Sequence, residues 1–116
     1  MQMQIKYGNH FVKRGTSFST TETTAEPQLI NPPSNTTIFL IDPKGPDQPF
    51  LHWALYIDPN GQREILHHYR EPTPPSGIHT YIFYTYPGRY NETINQYPFI
   101  IPNGLTEVGS FTVMSE

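Results

Sequence analysis

Thr36-Thr37-Ile38-Phe39-Leu40-Ile41-Asp42 is the stretch on which the fold turns. Its inner residues, Ile38 to Ile41, are apolar at every position. Because strand side chains alternate between faces, that pattern belongs to a strand covered on both sides. A second strong strand is predicted over residues 51–57, where polar and apolar residues mix. Further strands are predicted over 64–69, 78–86 and 108–114, with a weaker one over 3–7. Turn signals fall between them: Asp42-Pro43-Lys44-Gly45-Pro46, Asp58-Pro59-Asn60-Gly61, Pro72-Thr73-Pro74-Pro75-Ser76-Gly77 and Pro87-Gly88. In Asp58-Pro59-Asn60-Gly61, proline presets a negative φ and glycine accepts a positive one, which predicts a hairpin between the strands on either side.

Composition agrees with a strand-and-loop protein. Thirteen prolines in 116 residues disfavour long helices, because proline lacks a backbone donor and clashes inside a helical turn. The expected fold is all-β with little helix: an antiparallel sandwich of two sheets around one core, forming a single domain over 1–116. The polar stretch from Thr16 to Glu26 reads as an exposed loop. One short helical turn is predicted near Asn91 to Tyr97, with Asn91 as cap and Pro98 as stop.

Several function classes drop out on bulk chemistry. The net charge is -3 and the seven Lys and Arg are scattered, so no basic stripe exists to meet nucleic acid. No apolar run approaches the roughly 20 residues needed to span a bilayer, and the opening residues lack a signal-peptide core, so a soluble, cytoplasmic protein is expected. Cysteine is absent, which removes disulfides, thiolate metal sites and cysteine nucleophiles. The triplets Asn35-Thr36-Thr37 and Asn91-Glu92-Thr93 match a glycosylation signal that has meaning only in a secreted chain.

Candidate site residues cluster at strand ends. Asp42 closes the buried strand and opens a proline-rich turn, a position suited to a ligand-facing carboxylate. His52 starts the next strand, and a nearby carboxylate is expected to raise its pKa and make it an anion-attracting imidazolium. His79 and Tyr81 are two apart in one strand and therefore share a face, offering an imidazole N–H and a phenol O–H to phosphate oxygens. The stiff Pro72-to-Gly77 segment is expected to form a rigid pocket rim. His10, His67 and His68 read as structural.

These segments occur in a familiar order. Ile41-Asp42-Pro43-Lys44-Gly45-Pro46, Leu51-His52-Trp53, and Pro74-Pro75-Ser76-Gly77-Ile78-His79-Thr80-Tyr81-Ile82-Phe83 together resemble the phosphatidylethanolamine-binding protein family, which includes the Raf kinase inhibitor proteins. The family pattern is a D-P-D-x-P turn, an H-W or H-H-F strand start, and P-P-x-G-x-H-R-Y/F-x-F. Weaker similarity takes in Ile5-Lys6-Tyr7-Gly8 and Phe111-Thr112-Val113.

The resemblance implies a β-sandwich with a small anion pocket at one end. Asp42, His52, Pro74, His79 and Tyr81 would be pocket residues, with Gly45 and Pro46 shaping its rim. Lys44 stands where the family has its second Asp and would add a cation, and Thr80 replaces the family Arg. The implied function is non-enzymatic: a regulator needing no cofactor, which holds phosphate, a phosphoethanolamine-type headgroup or a phosphorylated group and modulates a partner such as a protein kinase, with peripheral phospholipid contact. The alternatives are a protein-interaction module or protease inhibitor with a vestigial pocket, and a hydrolase or metalloenzyme. Against the last stands the lack of H-x-H, H-E-x-x-H and G-x-S-x-G motifs.

Overall fold

In the computed structural model, residues 2–44, 49–74, 76–95 and 99–115 are described. Their strands are β1 (Gln4–Tyr7), β2 (His10–Phe11), β3 (Thr16–Phe18), β4 (Gln28–Ile30), β5 (Thr36–Asp42), β6 (Phe50–Ile57), β7 (Arg63–His67), β8 (Ile78–Pro87) and β9 (Thr106–Met114). They form two sheets, a three-stranded one in the order β2-β1-β4 and a six-stranded one in the order β3-β9-β8-β5-β6-β7. No helix occurs among the described residues.

The central strand is covered as its sequence demands. Ile38, Phe39, Leu40 and Ile41 are all fully buried. Ile38 and Leu40 face the small sheet, meeting Ile5, Tyr7 and Leu29 in a core completed by Trp53, Phe83 and Phe111. Phe39 and Ile41 face the other way, into a second apolar cluster with Leu51, Ala54, Ile94 and Phe99. The expectation of one core is thus corrected to two. The second is roofed not by a sheet but by the irregular segment after β8, with Tyr90, Ile101 and Leu105 packed against it. Thr37 anchors that roof: its buried hydroxyl donates to the Gly88 carbonyl at 2.7 Å and accepts the Tyr90 N–H at 3.0 Å. The helical turn expected near Asn91 does not form over 91–95, where Asn91 accepts a hydrogen bond from Arg89 and Ile94 turns into the second core. Tyr97 and Pro98 lie outside the described residues.

The predicted hairpin joins β6 and β7, which pair antiparallel. The Asp58 carboxylate accepts the N–H groups of Asn60 and Gln62 at 2.8 and 2.9 Å, and Gly61 takes φ = +83°. Residues 16–26 are not all loop. Thr16–Phe18 forms β3, an edge strand parallel to β9, with Phe18 buried edge-on against Tyr7 and Phe111. One buried aromatic in a polar stretch leaves no periodic signal. The two-residue β2 and three-residue β4 are likewise too short to show a period.

A bulge in β6 places the site. Leu40 pairs with Trp53 but Ile41 pairs with Leu51, so His52 is an extra residue opposite the step between them. Strict alternation would set His52 and Trp53 on opposite faces. The bulge instead sends Leu51 into the second core and leaves His52 beside Tyr81, on the face that Trp53 also uses.

Candidate functional site

Asp42 ends β5 and pairs with Phe50 at the start of β6. One carboxylate oxygen accepts the Lys44 N–H at 3.0 Å, the local turn that an Asp-Pro sequence favours. The other accepts from His79 Nδ1 at 2.8 Å. Asp42 is buried, while the His79 side chain keeps 17% exposure. On β8, His79 and Tyr81 lie on the face that carries Phe83 into the core, as period-two alternation requires. Tyr81 stacks on Phe111 and meets the His52 ring edge-on at 5.0 Å.

His52 and Arg70 exchange two backbone-directed bonds: the Arg70 N–H donates to the His52 carbonyl at 2.7 Å, and His52 Nδ1 lies 2.7 Å from the Arg70 carbonyl. A carbonyl oxygen only accepts, so Nδ1 of His52 carries the proton. Burial lowers the pKa of His52, outweighing the opposing pull of Asp42. The expectation of a His52 imidazolium raised by Asp42 is therefore corrected: Asp42 pairs with His79, and His52 favours its neutral form. The phenol of Tyr81 is pushed up by burial and by the charge of Asp42, which keeps it a protonated donor.

These groups wall a cavity of about 170 Å³ lined by Asp42, Phe50, His52, His79, Tyr81 and Pro74, with Arg70, Glu71 and Thr73 completing it. Five sequence-selected residues, Asp42, His52, Pro74, His79 and Tyr81, thus meet at one place. Lys44 is exposed and does not line the cavity, and Gly45 and Pro46 lie outside the described residues. The cation at the cavity is instead Arg70, whose guanidinium sits over the Phe50 ring at 5.3 Å. Neither Arg70 nor Phe50 stands out in sequence. The one available signal for Arg70 is its place just before the proline-rich rim.

Chemically, the cavity offers one fixed positive charge, one phenol donor and two imidazole edges, alongside the carboxylates of Asp42 and Glu71. Neither Nε2 atom nor the Tyr81 hydroxyl has a hydrogen-bond partner among the described residues. No group of three metal-ligating side chains occurs among those residues. No helix there is long and apolar enough to cross a membrane.

No family model matches the chain, and no curated protein matches it. Among solved structures, it is similar to a candidate phosphatidylethanolamine-binding protein homologue from Chlamydia trachomatis, with 16% identity over 97% of this chain and 95% of that one and a TM-score of 0.51. An all-β chain of two sheets that aligns along nearly the whole length of that structure has the fold of the phosphatidylethanolamine-binding proteins.

Proposed function

We propose that this protein is a non-enzymatic binding protein that holds a phosphate-type anion in the cavity between β5, β6 and β8. The observation that carries this reading is the meeting of Tyr81, His52, His79 and Arg70 in the lining of one small cavity, where the Tyr81 hydroxyl and both imidazole Nε2 atoms have no hydrogen-bond partner among the described residues. Arg supplies planar donors and a permanent charge for phosphate oxygens. Pro72 and Pro74, both buried, stiffen the rim and reduce the ordering cost of binding.

Thermal unfolding with and without ligand tests the proposal. A ligand selective for the native state stabilises by roughly 2.7 kcal/mol at a hundredfold excess over Kd. O-phosphoethanolamine or inorganic phosphate at millimolar concentration is therefore expected to raise Tm by several degrees, and sodium chloride at equal ionic strength is not. An unchanged Tm with both phosphates would end the proposal. Asp42 and His79 also have the arrangement of an acid–base pair, so hydrolysis is the competing outcome; on the binding reading the protein is expected to hydrolyse p-nitrophenyl phosphate no faster than buffer does. The regulatory part of the reading, modulation of a partner such as a protein kinase, is supported by the family resemblance of the three motifs. An in vitro kinase assay with phosphate-loaded and phosphate-free protein tests that part.

A further inference from the structure

The proton inventory of the cavity goes further than its charge. His52 gives its Nδ1 proton to the Arg70 carbonyl, and His79 Nδ1 is held by the Asp42 carboxylate. Neither partner oxygen can return a proton, so in a neutral ring the remaining nitrogen, Nε2, presents a lone pair rather than an N–H. A bare phosphodiester is acceptor-only and would meet that lone pair with oxygen. A phosphomonoester or inorganic phosphate carries a second ionisation near pH 6 and brings an O–H of its own.

Resting on the anion-binding reading above, we infer that the cavity selects phosphate species that arrive with a proton, inorganic phosphate and phosphomonoesters, over phosphodiesters. His52 is the specificity-determining residue: its Nε2 accepts the phosphate O–H, while Arg70 binds the charged oxygens. The groups around His52 agree with this division. Asp42 on β5 and Arg70 after β7 oppose each other in charge, His67 on β7 disfavours a second positive ring, and Tyr81 on β8 contributes a donor and no charge. His79 and Glu71 also line the cavity, and the Glu71 carboxylate repels a fully ionised phosphate more than a protonated one. Burial, which keeps the His52 ring neutral, acts in the same direction.

The experiment compares O-phosphoethanolamine with glycerophosphoethanolamine, which share an ammonium group and differ in one ester bond. Calorimetric titration at pH 6.5 in two buffers of different ionisation enthalpy reads both affinity and proton uptake. The monoester is expected to bind at least about tenfold tighter, the cost of one unmatched buried hydrogen-bonding group. At pH 6.5 both ligands are expected to take up protons on binding, the diester close to one and the monoester about three quarters of one, because its second ionisation lies near pH 6. Toward pH 5 the monoester's uptake is expected to vanish while the diester's persists, and both weaken as pH rises to 8. In Arg70→Gln, both ligands are expected to weaken while their ratio persists; in His52→Phe, the ratio is expected to collapse toward one. Equal affinities without proton uptake by the diester would overturn the inference and leave the anion site standing. Binding of neither ligand would overturn both. Should His52→Phe fail to fold, the buffer comparison on the unaltered protein still decides.

Discussion

At position 52 a buried imidazole has its proton placed by a backbone carbonyl, and the consequence is thermodynamic as well as chemical. The folded protein disfavours the charged ring, so the unfolded chain binds protons more readily there. The stability this contributes is present above the ordinary histidine value of 6.5 and is lost as pH falls through and below it. His67, half-buried with its pKa also lowered, acts in the same sense. Tm is expected to fall between pH 7.5 and 5, and less steeply in His67→Gln, as followed by circular dichroism. Asp42 acts differently, by orienting the His79 ring. Asp42→Asn is expected to weaken phosphate binding about tenfold and to destabilise the fold by about 1–2 kcal/mol, the range for losing a charge-assisted bond at a buried site. Asp42, His52, His79 and Tyr81 were legible because their residue types and strand positions advertise polar chemistry. Arg70 was not, because its role depends on a carbonyl and an N–H that every residue has, and on the Phe50 ring brought beneath it by the start of β6.

Among the elements, legibility followed burial of whole faces. Strands β5, β6, β8 and β9 could be read because each carries an apolar run or a clear alternation. The bulge that sets His52 beside Tyr81 was invisible, since one inserted residue alters the register without altering composition. Strand β3 was missed for a related reason: its contribution is concentrated in Phe18. Phe18→Ala is expected to cost about 3 kcal/mol in urea unfolding, because it removes a buried ring wedged between Tyr7 and Phe111. The turn after β6 makes a smaller demand. Gly61→Ala is expected to cost about 1 kcal/mol, for a side chain forced to φ = +83°, with open space around the added methyl group. A polar relay also links the small sheet to the segment after β7: Tyr7 donates to the Tyr69 hydroxyl at 2.8 Å, which donates to the Thr23 carbonyl at 2.7 Å. In Tyr69→Phe that relay is cut, and a loss of about 1–2 kcal/mol is expected by the same denaturant measurement.

Across the whole molecule, the order β3-β9-β8-β5-β6-β7 pairs β3 with β9 and β5 with β8, strands far apart in sequence, and the cavity lies where β5, β6 and β8 run side by side. Such topology makes loop closure precede reward, so stopped-flow refolding is expected on the millisecond-to-second scale rather than in microseconds. The same arrangement sets Asp42, His52, His79 and Tyr81 on neighbouring strands of one sheet, while Arg70 and Pro74 reach the cavity from the segment after β7. Parallel pairing of Thr16–Phe18 with Phe111–Val113 carries a last consequence for biosynthesis. Ser17 and Phe18 leave the ribosome long before their partner strand exists, so Phe18 lacks its Phe111 contact until β9 has been made. A nascent chain stalled before residue 106 would present that ring and the open flank of β8 to chaperones, and the arrival of β9 would close both at once.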